Sequence, residues 1–389
     1  MSARRKVLLG IVAVCATLAA ALWAAWPYVA STAVVLDLTG RGGVLRSLLP
    51  VRVHDVIVRD VIVPTRDGAL AARIYSPSNG SATRAAIVFP GIHNGGVDEP
   101  RLAALSRRLA ATGITVVSAP LPDLRAYRII PHATDQLEDA AVWLTTQHDL
   151  APSGRISLVG VSFAGGLALV AAGRPSLAGK LDVVVSLGGH GDLPRALRYL
   201  CTGILPDGSR RAPHDYGAAV LLLTGLHHFA PPEQQQPLHD AMVTFLNASG
   251  YESTDAARSA RLFAEARAIA ERLPEPARTV MGWVNDRNVA VIGPKLLPYL
   301  EELGGDAALS PERSPATHAP VFLLQGAEDN VVPPTETPSV AAYLRNQGDA
   351  HVEFLLTPLL SHADAAASVG ISDAWALVRF WTRMLAPPS

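Results

Sequence analysis

The chain has 389 residues, a formal net charge of −1 and only two cysteines. Its length allows a large buried core, and one domain with an insertion is the simplest division. The balanced charge, without a basic tract, argues against a nucleic-acid partner. Cys15 and Cys201 are too far apart in sequence to indicate a disulfide framework or a thiolate metal site. His227 and His228 are adjacent and lack a helical i, i+4 partner, so we expect packed or solvated side chains rather than metal ligands.

The N-terminus has the pattern of a membrane anchor. Three basic residues at positions 4–6 precede an uncharged run over Val7–Trp26. As a helix, this run would reach about 30 Å, the thickness of a bilayer core. We therefore predict an anchor over residues 1–30 with a cytoplasmic N-terminus, a juxtamembrane linker over 31–52, and an extracytoplasmic location for the rest of the chain. A signal peptide cleaved near the small residues 31–33 is the alternative, and the protein would then be secreted.

The next part of the chain alternates between strand-like and helix-like segments. A hairpin is predicted over 53–75, and helices over Leu102–Ala111, His132–Leu150 and Ile371–Leu385. Strands alternating with helices indicate a mostly parallel sheet with helices on both faces. The predicted buried strands are Ala85–Phe89, Ile114–Ala119, Ile156–Val161, Leu181–Leu187, Val321–Gln325 and Val352–Thr357.

This alternation stops over residues 192–315. Within that segment, helical patterns cover Leu238–Leu246 and Ala256–Leu273. Because strands are predicted on both sides of it, the segment is interpreted as a helical insertion between two strands of the sheet.

Ser162 lies where an apolar, β-prone run meets an Ala- and Leu-rich, helix-prone run. Small residues at Gly160 and Ala164 flank it, which is the layout of a nucleophile elbow, a tight strand-to-helix turn that presents a serine. The strict G-x-S-x-G pattern is broken by the methyl group of Ala164. The alternative interpretation is a turn whose serine only caps the helix.

A serine nucleophile needs a base and a carboxylate that orients the base. Functional groups of an open parallel sheet gather beyond the carboxyl ends of its strands. Asp329 follows the next-to-last predicted strand and His362 follows the last, which gives the chain order Ser162, Asp329, His362. Glu328 and Asp192 are the alternative acids.

With these motifs the chain resembles the α/β-hydrolase superfamily over residues 53–190 and 316–386. The resemblance is carried by Gly160–Gly165, Gly326–Pro333 and Ser361–His362. It implies an α/β-hydrolase fold: a mostly parallel eight-stranded sheet with helices on both faces, starting with the predicted hairpin. In terms of domains, it implies a hydrolase core over 53–191 and 316–389, with the insertion over 192–315 as a lid.

Two backbone N–H groups should form an oxyanion hole. One is expected from Phe163, the residue after the nucleophile, and the other from Ile92 in the loop after the third strand. The N–H of Asn94 or Gly95 is the alternative second donor. His93 in the same loop is interpreted as a packing or substrate-facing residue rather than a base.

These features together predict a membrane-anchored serine hydrolase facing the exterior, with a small-molecule carboxylic ester as substrate. We expect neither a metal nor an organic cofactor. A peptidase, a thioesterase or an acyltransferase would use the same triad, and a non-catalytic binding protein would need only the fold. The sequence carries no indication of oligomeric state.

Overall fold

The computed structural model describes residues 25, 28, 29, 31–33, 35, 36, 54–80, 82–347, 351–360 and 370–386. The chain divides into two compact units. The larger unit is His54–Ala366, and the smaller combines Met1–Val53 with Ala367–Ser389. The candidate serine and carboxylate belong to the larger unit.

The larger unit contains an eight-stranded sheet with the order β1-β2-β4-β3-β5-β6-β7-β8. β2 is antiparallel to β1 and to β4, and the remaining neighbours are parallel. The predicted mostly parallel sheet and its opening hairpin are confirmed, and the chain has the α/β-hydrolase fold. The strands are β1 (Val56–Thr65), β2 (Gly68–Pro77), β3 (Arg84–Phe89), β4 (Ile114–Ser118), β5 (Ile156–Val161), β6 (Leu181–Leu187), β7 (Val321–Gly326) and β8 (Val352–Thr357).

The central strands lie in the hydrophobic core, whereas the edge strand β1 is largely exposed. In β3, Ile87, Val88 and Phe89 are completely buried. Continuous apolar runs form central strands because helices cover both faces of a parallel sheet. Helices that follow the early strands are α1 (Pro100–Ala111), α2 (Pro122–Arg125), α3 (His132–Thr145) and α4 (Phe163–Ala172).

Helix α3 ends at Thr145, five residues before the predicted end at Leu150. The Thr145 and Thr146 hydroxyls each donate a 2.7 Å hydrogen bond to a backbone carbonyl three residues earlier. Short polar side chains that bond back to the backbone compete with helix continuation. The prediction extended the helix because it followed the apolar pattern and gave these side chains no weight.

Between β6 and β7 the chain is helical. Ion pairs connect the beginning of this helical segment to the part of the chain around β7. Arg195 donates to the carboxylates of Glu312 and Glu336, and Glu336 is completely buried. The helices are α5 (Leu193–Thr202), α6 (Asp215–Thr224), α7 (Pro232–Tyr251), α8 (Ala256–Ala270), α9 (Ala277–Asn285), α10 (Val289–Leu296) and α11 (Leu300–Gly304). Short 3-10 turns include Leu226–His228, Leu297–Tyr299 and Pro311–Arg313.

Helix α7 is much longer than its predicted part, Leu238–Leu246. It starts with proline at its first position, where the missing N–H costs no hydrogen bond. Pro237 lies inside the helix, five residues after the first. Helix α12 (Glu336–Gln347) then connects β7 to β8.

In the smaller unit, α13 (Ile371–Leu385) has the predicted bounds. The ring of Tyr28 stacks on that of Trp375, with centroids 5.6 Å apart. Apart from Ala25, the predicted anchor Val7–Trp26 lies outside the described residues. Within the parts of the chain that the structure describes, no helix has the length and apolar character needed to cross a membrane.

Candidate active site

Ser162 occupies the sharp turn between β5 and α4. Its backbone has φ +53° and ψ −130°, in a region that non-glycine residues rarely adopt. Its N–H donates to the Leu187 carbonyl at 2.6 Å, and its own carbonyl accepts from Gly165 N–H at 2.7 Å. Such strain persists only where the surroundings enforce it, and it is concentrated at functional sites. The turn thus has the geometry of a nucleophile elbow, with the serine at the N-terminus of a completely buried helix.

This turn requires glycine at positions 160 and 165. A Cβ at Gly160 would lie 2.1 Å from the Ala164 carbonyl oxygen, and one at Gly165 would lie 2.5 Å from Ser186 Oγ. Neither distance is tolerable for a carbon atom. The methyl group of Ala164, in contrast, is fully buried in the core. The departure from the strict motif therefore falls at a position that the turn accommodates.

The loop after β3 passes directly beside the candidate nucleophile. A Cβ at Gly91 would lie 2.7 Å from Ser162 Cβ and 3.2 Å from Ser162 Oγ. Only glycine allows the backbone to come so close. The next residue is Ile92, whose N–H is the predicted second oxyanion donor. Phe163, the predicted first donor, is the first residue of α4.

The two alternative donors in this loop have other acceptors. Gly95 N–H donates to His93 Nδ1 at 3.0 Å, and Asn94 N–H hydrogen-bonds the Tyr127 hydroxyl. The His93 ring also hydrogen-bonds the backbone of Gly250, and burial lowers the pKa of this histidine. These contacts favour Ile92 over Asn94 and Gly95 as the second oxyanion donor. They also agree with a packing role for His93.

Asp329 follows β7 in a turn that holds its carboxylate. The side chain is 1% exposed, and Oδ1 accepts from the N–H groups of Val331 and Val332 at 2.9 and 3.0 Å. Gln325 supports the same turn, since its Nε2 donates to the Val332 carbonyl at 2.7 Å. Thr337 in turn donates to Gln325 Oε1. Sequence reasoning missed Gln325 and Thr337; a polar residue at the end of an apolar strand was the available signal.

The two alternative acids have structural partners. Asp192 caps α5 by accepting from Arg195 N–H at 2.9 Å, and its other oxygen accepts from Arg313 Nε at 2.7 Å. The Glu328 side chain is 77% exposed and lies 3.3 Å from Arg211 Nη2. The contacts of Asp192 and Glu328 give both carboxylates a structural role. Asp329 is therefore the preferred candidate for the acid.

His190, the histidine nearest Asp192 in sequence, is buried behind the elbow. Its ring stacks on that of Phe163 with centroids 4.8 Å apart, and its Nε2 lies 2.7 Å from the Leu309 carbonyl. Burial lowers its pKa, so the neutral form is favoured. This histidine therefore packs against Phe163, the residue after Ser162, from within the core.

The predicted base, His362, lies outside the described residues, so its position relative to the other two side chains stays a prediction. Strand β8 precedes it in the chain. The last residue of that strand, Thr357, pairs with Gly326, three positions before Asp329. The two strands that precede the predicted acid and base are therefore neighbours in the sheet.

A residue of the helical insertion completes the loop beside Ser162. The Tyr216 hydroxyl, on α6, donates to the Ile92 carbonyl at 2.8 Å. The Tyr216 ring also packs edge-on against Tyr127, with centroids 6.1 Å apart. No sequence signal identifies Tyr216, because its partner is 124 positions away.

No protein-family model and no curated protein matches the sequence. Several solved structures are similar to it. An esterase of Pyrobaculum calidifontis is 17% identical with a TM-score of 0.47, over 92% of this chain and 91% of that one. An esterase of Pseudomonas putida is 15% identical with a TM-score of 0.47, over 86% of this chain and 84% of that one. A thermostable carboxylesterase cloned from a metagenomic library is 16% identical with a TM-score of 0.45, over 86% of this chain and 91% of that one. Identities and TM-scores this low transfer no activity.

Proposed function

We propose that the protein is a serine hydrolase that cleaves carboxylic esters of small molecules. In this proposal Ser162 is the nucleophile, His362 the base and Asp329 the acid, with the N–H groups of Phe163 and Ile92 as the oxyanion hole. The observation that carries it is the strained turn at Ser162, with the backbone of the neighbouring loop packed against the serine side chain.

The chemistry follows from these roles. The base takes the hydroxyl proton as Ser162 Oγ attacks the ester carbonyl carbon, and the carbonyl oxygen becomes an oxyanion held by two N–H groups. Collapse of this intermediate expels the alcohol, which receives the proton from His362. Water then attacks the acyl-enzyme with the same base, and release of the acid restores the serine. The enclosed carboxylate of Asp329 would orient the imidazole throughout.

Covalent labelling and substrate competition test this assignment. A fluorophosphonate probe should label the full chain, and matched ester, thioester and amide substrates should be hydrolysed at rates that favour the ester. Faster cleavage of the amide or thioester would indicate a peptidase or a thioesterase instead. A folded chain that neither labels nor turns over any of the three would be a binding protein.

The proposal includes an extracytoplasmic location, with residues 1–30 as an anchor. The basic residues before the uncharged run support this direction. The same probe can test it: in intact cells, a membrane-impermeant version should label the membrane fraction. Labelling that requires cell lysis would contradict export, and labelled protein that begins near residue 31 in the medium would indicate a cleaved signal peptide.

Tyr216 gives a prediction about the oxyanion loop. The Tyr216→Phe change removes the hydroxyl that holds the Ile92 carbonyl, and we expect kcat for ester hydrolysis to fall roughly fivefold, the equivalent of one hydrogen bond. KM should change little, because the bond acts on the loop rather than on the substrate. Steady-state kinetics measure both constants.

A matched control exists for this change. The Tyr343 hydroxyl also donates to a backbone carbonyl, that of Ser314, at 2.7 Å. The Tyr343→Phe variant should lose a similar amount of stability and keep its kcat. Equal kcat values in Tyr216→Phe and Tyr343→Phe would show that Tyr216 has no role in positioning the loop.

A further inference from the structure

Three side chains of the helical insertion converge on one point, although two of them are far from the third in sequence. His227 and His228 end the 3-10 turn Leu226–His228, and Glu302 lies on α11. Nε2 of His227 is 3.0 Å from Glu302 Oε1, and Nε2 of His228 is 2.8 Å from the same oxygen. Glu302, the third potential ligand, lies 74 residues after His228, so the spacing of histidines in the sequence gave no indication of it.

We propose that His227, His228 and Glu302 bind one divalent transition-metal ion, and we take Zn²⁺ as its representative. Two imidazole nitrogens and one carboxylate oxygen are a known zinc ligand set, with water in the remaining position. The three ligand atoms lie within 4.8 Å of one another. Each ligand atom would lie about 2.0–2.2 Å from the zinc ion, so the side chains would rotate from this arrangement to make room for it. Imidazole ligands also suit copper and nickel, whereas magnesium and calcium prefer oxygen.

The site is partly organised by packing. The His228 ring stacks on that of Tyr299 at 3.7 Å between centroids and 12° between planes, so its direction is restrained. The His227 ring lies against it, with centroids 4.0 Å apart. The His227 and Glu302 side chains are about half exposed, so an ion can enter from solvent.

The shared carboxylate oxygen distinguishes this cluster from an ordinary ion pair. One histidine would satisfy Glu302, yet both rings direct the same kind of nitrogen at one atom. Elsewhere in the described ranges, no other group of three histidine, cysteine or acidic side chains comes this close together. A bound ion would cross-link the 3-10 turn to α11 and stabilise the folded insertion by mass action.

Zinc titration of the chelator-treated full chain tests the site. We expect one Zn²⁺ per chain by isothermal titration calorimetry, with a micromolar dissociation constant, and a rise of several degrees in Tm. The His227→Asn and Glu302→Gln variants should each weaken binding by at least about tenfold and lose the rise in Tm. Both side chains are about half exposed and neither lies in the hydrophobic core, so these variants should fold.

His239→Asn is the matched control. His239 is a half-exposed histidine on α7 with an acidic neighbour, Asp240, at 3.2 Å, and within the described residues it belongs to no group of three potential metal ligands. The His239→Asn variant should bind zinc like the wild type. His228→Phe keeps a ring for stacking on Tyr299 and should also lose binding. The proposal is overturned if the wild type binds no zinc, or if binding survives in His227→Asn, Glu302→Gln and His228→Phe.

Discussion

Replacing Ser162 by alanine is expected to abolish both fluorophosphonate labelling and ester hydrolysis. Loss of a triad nucleophile lowers kcat by a factor on the order of 10⁶. The fold should persist, because the backbone N–H and carbonyl of Ser162 make the hydrogen bonds that shape the turn. Gel fluorescence after labelling and a sensitive ester assay measure the effect, and chemical denaturation checks the fold.

Ser157 provides the control for this change. It lies in β5, the strand that leads into the turn, five residues before Ser162, and it is buried in the sheet. Ser157→Ala should keep its labelling and its turnover, apart from any loss of folded protein. Continued labelling of Ser162→Ala at wild-type intensity would show that another residue is the nucleophile.

The second large effect is expected at Asp329. Asp329→Asn should lower kcat by a factor on the order of 10⁴, since an amide cannot hold the imidazole in the required tautomer. An asparagine oxygen can still accept from the N–H groups of Val331 and Val332, so the turn should survive. Steady-state kinetics and urea unfolding separate the catalytic effect from any structural one.

Asp192→Asn is the comparison that decides between the two acids. Asparagine caps helices as well as aspartate does, so α5 should keep its start. The main loss is the charge that faces Arg313, and an ion pair at a partly exposed site contributes at most about 1 kcal/mol. We expect kcat to change less than threefold, about one RT or less in activation energy. A greater loss of kcat in Asp192→Asn than in Asp329→Asn would move the acid to the end of β6.

Much of the fold was predictable because its signals are local. The buried strands β3 to β7 are predominantly apolar, and a predominantly apolar strand is expected where helices cover both faces of a sheet. The elbow at Ser162 was also predictable, since small residues around a serine between a strand and a helix describe a turn within six positions. The positive φ that the structure shows at Ser162 accompanies this sharp turn, and the small neighbours leave the space that the turn needs.

Contacts between distant parts of the chain were not predictable in this way. Tyr216 meets Ile92 only after the insertion has folded over the loop, and Glu302 meets two histidines across 74 positions. The capping role of Asp192 was available from its place before a helix, but its pairing with Arg313 was not. A contact between two distant segments produces no periodic pattern of apolar residues in the sequence of either segment, so the sequence of one segment does not reveal its partner.

The hydrogen bond from Tyr216 to Ile92 has a consequence for protein engineering. Hydrolase lids are attractive units for exchange, because they are expected to carry substrate preference while the core carries the chemistry. Here the helices between β6 and β7 supply a hydroxyl that holds the loop beside Ser162, the proposed nucleophile. A chimera with a foreign insertion would therefore change its turnover rate together with its selectivity, unless the graft retains a phenol at the equivalent place.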